Sequence, residues 1–262
     1  AIGGNVAEDT GGARAMKYGV TRHYVLGLEV VTPHHGRFRT GVRTLKGVVG
    51  YDLTRLLVGS EGTLGIFTEI TLRLIPKPEA MGAVRAVFDS EEDVGRLVPA
   101  IVRRGVLPSA CEFMDRTCIR LVESEKKLGL PPEAAGLVLV EVDGGPAAVE
   151  DQIDKVESAC REVGAREVLS AQAPAEQAAL WAARKSLGSV ISKQAPTKFN
   201  EDIVVPRERI VDLLGWLRGL AEECGLFIVN FGHIGDGNIH VNIMTDEADP
   251  EEYTRALKAV ER

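Results

Sequence analysis

The sequence lacks any apolar run near the roughly 20 residues that cross a bilayer, and no signal peptide opens it. Neither a membrane span nor secretion is therefore expected. It also lacks an excess of basic charge. The formal net charge is -7, whereas a general nucleic-acid binder needs a basic face. Cysteine is scarce: Cys111, Cys118, Cys160 and Cys224, with no CxxC pair. That spacing suits neither a zinc ribbon nor an iron–sulfur cluster. It predicts plain core residues in a reducing, cytoplasmic setting. The patterns G-x-G-x-x-G and G-x-x-x-x-G-K-[ST] are both missing, so ATP use is not expected.

What is present is a globular balance. The chain has 262 residues, 45% hydrophobic and 26% charged, enough for one large domain or two ordinary ones with a real core. The opening, AIGGNVAEDTGG, has no Met and reads as mid-domain sequence. The ending, RALKAVER, stops inside a helical pattern. A piece lacking segments at both ends is expected.

Residues up to about Pro78 are rich in glycine and β-branched side chains. VLGLEVVTP predicts a strand ending at Thr32 and Pro33, and HHGRFRTG a hairpin return with Gly36 at the turn. YDLTRLLVG has helical spacing. GIFTEITLRLIP alternates as a strand with Ile66, Thr68, Ile70 and Leu72 on one side. Pro76 and Pro78 mark a boundary, giving units 1–80 and 81–262.

Beyond it, AVRAVF, LVLVEVDG, REVLS and DIVVP (202–206) predict strands. Ser90 caps a helix with acidic residues in its first turn, and Pro99 is expected to kink it. Another helix places Val149, Ile153, Val156 and Cys160 on one face. PAEQAALWAARKSLGSVISK and ERIVDLLGWLRGLAEECG are further helices, the second ending at Gly225. LFIVNFGH and NIHVNIM pair around Gly235, Asp236 and Gly237. The pattern predicts an α+β arrangement, an antiparallel or mixed sheet with helices on one face.

Three features carry chemistry. Gly3, Gly4 and Asn5, continuing to Gly11 and Gly12, and the segment GSEGTLG (59–65) can let backbone approach a phosphate-bearing cofactor, or be ordinary turns. In FGHIGDGNIHVNI, His233 ends one strand and His240 lies on the next. His240 and Asn242 point to one face. Two histidines with a nearby carboxamide or carboxylate can hold a divalent metal, and Asp236 can instead orient a histidine. Such a hairpin can also be merely polar. Arg184, inside the stripe of Leu180, Trp181 and Leu187, can clamp a substrate carboxylate or simply snorkel. Lys198 is a weaker candidate of the same type.

These residues resemble a known family. IGGNVAEDTGGARAMKYGVTRHYVLGLEVV, GYDLTRLLVGSEGTLGIFTEITLRLIPKPEA, ACEFMD, EDIVVP and FGHIGDGNIHVNI follow one another as in the FAD-linked oxidases of the glycolate oxidase GlcD and D-lactate dehydrogenase type. The resemblance runs over nearly the whole chain. It implies the vanillyl-alcohol-oxidase (PCMH-type) fold: the C-terminal part of an FAD-binding domain, then a substrate or cap domain with a ferredoxin-like core, incomplete at its end. It implies FAD bound by Gly4, Asn5, Gly11, Gly12, Gly62 and Ile66. It implies a substrate site of Arg184, His233, His240 and Asn242, with a divalent metal (zinc, manganese or iron) on His233 and His240.

The implied reaction is oxidation of a 2-hydroxy acid. Electrons would pass to an iron–sulfur or other electron-transfer subunit, which could tie a cytoplasmic protein to a membrane. An earlier FAD segment and a later Glu-His pair in an EHGIG-like motif are expected outside this chain, so the chain as given is expected to hold FAD poorly. Two other classes stay open: a non-catalytic FAD-binding or assembly subunit, and a flavin-free metal hydrolase.

Overall fold

The structure, a computed structural model, describes residues 1–44 and 46–262. It divides into two units, Ala1–Lys77 and Pro78–Arg262. The first holds α1 (Ile2–Glu8), α2 (Ala15–Tyr18), β1 (Val25–Thr32), β2 (Gly36–Gly41), α3 (Leu53–Leu57) and β3 (Ile66–Leu72). Its sheet has the order β2-β1-β3 and is antiparallel. Thr32 pairs with Gly36 across the hairpin, where Gly36 takes a φ of 64°, a left-handed conformation that suits glycine.

Val6, Val25, Leu28, Val30, Leu57 and Val58 form the core of this unit, with Phe67, Ile70 and Leu72 packed against it. That corrects the expected face of β3. The register with β1 shifts between Glu29 and Val30, leaving Thr68 unpaired while Phe67 and Glu69 pair on either side. One extra residue reverses the side-chain alternation. Ile66 is consequently exposed and Phe67 turns inward.

The second unit holds β4 (Ala80–Phe88), α4 (Glu91–Arg103), β5 (Ala110–Asp115), α5 (Arg116–Lys126), β6 (Gly136–Gly144), α6 (Pro146–Glu162), β7 (Glu167–Ala171), α7 (Pro174–Ile191), β8 (Thr197–Val204), α8 (Ile210–Cys224), β9 (Phe227–His233), β10 (Asn238–Thr245) and α9 (Pro250–Val260). The sheet order is β7-β4-β6-β5-β9-β10-β8, and neighbouring strands run antiparallel. Its first four strands have the split βαβ order of a ferredoxin-like core. The strands β9, β10 and β8 extend that core beyond β5.

The helices cover both faces, not one. Cys118, Ile119 and Val122 of α5 and Ala183, Leu187, Val190 and Ile191 of α7 pack on Val87, Met114, Leu137, Leu139 and Val229. On the other face a Cβ at Gly82 would strike Ile153 of α6, and one at Gly136 would strike Phe113 and Val94 of α4. The cause lies in composition. β5 is buried at every position and β6 at all but its last. Near-continuous apolar strands of this kind need cover on both sides.

Local chemistry explains the helix limits. The backbone N–H of Asp93 donates to Ser90 Oγ at 3.4 Å, and α4 then runs through Pro99 without a break. β8 starts five residues before the expected Asp202. The segment Arg116–Lys126, which sequence periodicity did not single out, forms α5. Cys111, Cys118 and Cys160 are buried thiols, and Cys224 is partly buried.

Candidate active site

The site is built on β5, β9, β10 and β8, all in the second unit. β9 and β10 form a hairpin, whose turn is closed by the backbone N–H groups of Asp236 and Gly237 donating to the His233 carbonyl at 3.2 and 3.1 Å. Gly237 has a φ of 90°, and a Cβ there would lie 2.1 Å from the Val205 carbonyl oxygen. The turn therefore requires glycine. Register then does the positioning. His233 lies opposite Glu112 on β5, and His240 lies opposite Asp202 on β8. Directly opposed side chains are close enough to bond.

Each pair makes that bond: His233 Nδ1 meets Glu112 Oε1, and His240 Nδ1 meets Asp202 Oδ1. The two carboxylates sit in different surroundings, with Glu112 1% exposed and Asp202 53% exposed at the side chain. Burial would lower the pKa of His233, but the hydrogen bond and charge of Glu112 outweigh it and hold the imidazole above its ordinary value. Burial raises the carboxyl of Asp236, against the opposing hydrogen bond from the Asn238 N–H.

The far ring nitrogens meet. His233 Nε2 and His240 Nε2 are 3.4 Å apart, with the rings nearly perpendicular at 85°. When each Nδ1–H donates to a carboxylate, a neutral ring keeps its lone pair on Nε2. Two lone pairs facing at this distance call for a proton or a cation between them. Ligand bonds of about 2.0–2.1 Å in tetrahedral geometry place two nitrogens about 3.4 Å apart, and a carboxylate on the other ring nitrogen is the usual support for a metal-binding histidine. The pair fits a divalent ion. Among the described residues no group of three His, Cys, Asp or Glu side chains gathers for a metal, so this site offers two ligands.

Arg184 joins from α7. Its Nε donates to Glu112 Oε2 at 2.8 Å, and its guanidinium lies 4.6 Å from the Phe231 ring centroid. Phe231 in turn contacts the His240 ring at 5.1 Å between centroids. Arg184 is therefore fixed on one edge and one face, rather than snorkelling. Asn242 is fully buried. Its Nδ2 donates to the carbonyls of Val229 and His240 at 3.3 and 3.4 Å, while its Oδ1 is buried without a partner. Lys198 sits on edge strand β8 opposite Met244, four residues from Asp202 and on the same face.

Asp115 holds the frame. It caps α5 by accepting the Cys118 N–H at 2.7 Å, and its other oxygen accepts the Asn230 N–H at 2.8 Å. The β5–β9 pairing covers only Glu112 to Met114, and this side chain extends it. Burial pushes the Asp115 carboxyl up to about 6. Glu112, Asp202 and Asp115 were all missed as functional residues in the sequence. Their partners are 121, 38 and 115 positions away, and no local pattern marks them.

The glycine segments of the first unit meet each other. The N–H groups of Gly59 and Glu61 donate to the Val6 and Ala7 carbonyls at 3.1 and 2.9 Å, closing the end of α1. Gly4 and Asn5 lie inside α1, not in an open glycine loop as expected. Burial of Val6 outweighs the helix cost of about 1 kcal/mol per glycine. Gly11 and Gly12 line an open depression of about 420 Å³ with Thr10, Arg14, Thr21 and Tyr24. Gly59, Glu61 and Gly62 have φ of 82°, 51° and 79°, and Ser60 Oγ between them is buried without a partner. An open glycine-lined surface and an orphaned hydroxyl fit a phosphate- or ring-bearing cofactor.

The larger unit is thus an α+β domain whose seven-stranded antiparallel sheet carries a histidine pair and an arginine, in a chain that also holds a smaller glycine-rich unit. The family model for FAD linked oxidases, C-terminal domain, matches residues 77–262, and the chain belongs to that family. It is 41% identical over 258 residues to glycolate oxidase subunit GlcD of Bacillus subtilis (strain 168), covering 98% of this chain and 55% of that one. It is 35% identical over 265 residues to D-lactate dehydrogenase of Anaerostipes hadrus, covering 98% and 55%. The chain thus spans about half the length of these curated relatives. Among solved structures, an alkyldihydroxyacetonephosphate synthase shares the fold at a TM-score of 0.74 and 16% identity, covering 98% of this chain and 54% of that one. No helix among the described residues is long and apolar enough to cross a membrane.

Proposed function

We propose that this chain carries the substrate side, and part of the flavin side, of an FAD-dependent dehydrogenase. Its substrate is a 2-hydroxy acid of the glycolate or D-lactate type, and its product the 2-oxo acid. One observation carries the reading most: two carboxylate-backed imidazoles present Nε2 atoms 3.4 Å apart beside an oriented arginine. The glycolate oxidase and D-lactate dehydrogenase relatives support the same chemistry. Residues 1–80 are read as the C-terminal part of a PCMH-type FAD-binding domain, and residues 81–262 as the substrate domain.

Arg184 has its Nε engaged by Glu112, which leaves the Nη edge for a bidentate grip on the substrate carboxylate. The Nε2 atoms of His233 and His240 face the 2-hydroxyl. A zinc, manganese or iron ion held there would polarise that oxygen. FAD, when bound along Gly11, Gly12 and the Gly62 turn with Ile66 nearby, supplies the hydride acceptor. Asn242 Oδ1, buried and unpartnered, offers an acceptor to a donor at the substrate side. A base would take the hydroxyl proton as the hydride leaves, and an electron-transfer subunit would reoxidise the flavin. The unpaired thiols suit a cytoplasmic protein that meets a membrane only through that partner.

The test is anaerobic mixing of the FAD-loaded protein, in the length at which it is naturally produced, with glycolate, D-lactate or other 2-hydroxy acids. Bleaching of the flavin absorption is expected, and its absence with all of them overturns the proposal. Replacing His240 by alanine is expected to lower turnover severely. Unchanged turnover would remove His240 from the site.

A further inference from the structure

Glu112 touches both halves of the site. One oxygen meets His233 Nδ1, and the other accepts from Arg184 Nε at 2.8 Å. The side chain is 1% exposed, so water does not compete for it. Met114, two residues along the same strand, sits fully buried in the core under α5 and α7. Glu112 is thus a charged residue on a strand position that packing would fill with an apolar one. A buried carboxylate is costly unless it is paired and hydrogen-bonded, and here a cation and an imidazole engage its two oxygens.

We propose that Glu112 is the positioning residue that fixes the carboxylate-binding edge of Arg184 against the Nε2 atoms of the histidine pair, and so selects acids whose hydroxyl is on the carbon next to the carboxylate. The proposal rests on the reading of Arg184 as the carboxylate clamp and of the histidines as the hydroxyl side. The physical point is rigidity. Arginine and histidine are tied to two oxygens of one carboxylate, so they move together and hold one spacing. An acid with its hydroxyl one carbon further out needs a wider spacing. Asp202 does the same for His240 alone, and it is half-exposed. It orients one ring and sets no distance to Arg184.

The test compares wild type, Glu112→Gln, Arg184→Gln and the double variant, FAD-loaded and in the naturally produced length. Two independent readouts are used: Co²⁺ affinity from the visible absorption of the bound ion, and KM and kcat from flavin reduction by D-lactate and by 3-hydroxybutyrate. Glu112→Gln is expected to weaken Co²⁺ about 10- to 100-fold, the usual cost of losing the carboxylate behind a metal-binding histidine. It is expected to raise the KM for D-lactate and to narrow the preference for D-lactate over 3-hydroxybutyrate.

On the Arg184→Gln background, Glu112→Gln should change KM less than about twofold yet still weaken Co²⁺, because coupling vanishes once the shared partner is gone. A general packing defect would not show that split. Wild-type Co²⁺ affinity and wild-type KM in Glu112→Gln would overturn the proposal. So would an undiminished KM effect in the double variant. If Glu112→Gln does not fold, Glu112→Asp replaces it. The shorter acid cannot span both partners, so it must lose either Co²⁺ affinity or KM, and losing neither overturns the proposal. A wild type that binds Co²⁺ but is bleached by no 2-hydroxy acid would sink the proposed activity, and the Co²⁺ comparison still decides whether Glu112 orients His233.

Discussion

Replacing Asp115 by asparagine should reverse the order of stability between wild type and variant as pH changes. Asp115 is 8% exposed, and burial lifts its carboxyl from an ordinary value near 3.8 to about 6. Between about pH 4 and pH 6 the folded protein holds this proton and the unfolded chain has lost it. The contribution to stability is therefore fully present below about pH 4 and is lost as pH rises towards 6. A displacement of about two pH units corresponds to about 3 kcal/mol. Asparagine keeps the shape and one carbonyl-type acceptor for the N–H groups of Cys118 and Asn230, but it does not ionise. At pH 4 the variant should equal wild type or lose about 1 kcal/mol, the worth of one hydrogen bond. By pH 7 the comparison should move about 3 kcal/mol in favour of the variant. Urea unfolding of both proteins at pH 4, 5, 6 and 7 measures the difference, in which the other titrating groups cancel. Parallel curves would refute the account of Asp115 as a buried carboxyl ionised at a cost.

Other perturbations act on the site more directly. Gly232→Ala puts a Cβ 2.3 Å from the Asn238 carbonyl oxygen and 2.8 Å from the Ile239 Cα. Both neighbours are backbone, so β9 must part from β10 beside His233; a loss of at least about 2 kcal/mol and loss of turnover are expected in denaturation and flavin-reduction assays. Arg184→Met leaves the 1%-exposed Glu112 without its cation, which should cost about 3–5 kcal/mol in urea unfolding and raise the KM for D-lactate. Asp202→Asn, at a side chain 53% exposed, should cost under about 1 kcal/mol while still lowering Co²⁺ affinity. A stability loss as large as that of Arg184→Met would contradict the difference in burial between the two carboxylates.

The histidine hairpin was legible because its information is local. His240 lies seven positions after His233, and Gly237 between them can be read as a turn. Arg184 was legible as a residue but not in its orientation, because its partner Glu112 lies 72 positions away. Strand pairing decides which carboxylate meets which histidine, and register is a property of the assembled sheet. Two local readings failed for related reasons. Thr68 falls out of register in a bulge, so the alternation read from GIFTEITL reversed. Gly3 and Gly4 are poor helix formers, yet they form α1 because Val6 is buried in the core. The two-faced burial of β5 and β6 was not read from the sequence, which pointed to helices on one face; Glu112 and Glu141 interrupt the apolar runs of these strands although both strands are buried.

The unequal burial of the two carboxylates says how the site divides its tasks. β5 lies inside the sheet, whereas β8 is its edge. Glu112 therefore comes from a strand that the fold immobilises on both sides, and Asp202 from one paired on one side only. A residue that sets a distance must sit on a rigid element, because a displacement near 1 Å is enough to spoil a reactive geometry. A residue that only orients one ring can sit at an edge, where the sheet opens to substrate. His240 and Lys198 follow that edge outwards, while Asn242 on β10 is fully buried. His233 and Glu112 are set back towards the core, where Arg184 reaches them from α7. On the proposed function, the rigid half of the site holds Arg184, which would grip the carboxylate that all 2-hydroxy acids share. The half at the edge faces what differs among them, so variation in substrate is expected to map to β8 and to leave β5 unchanged.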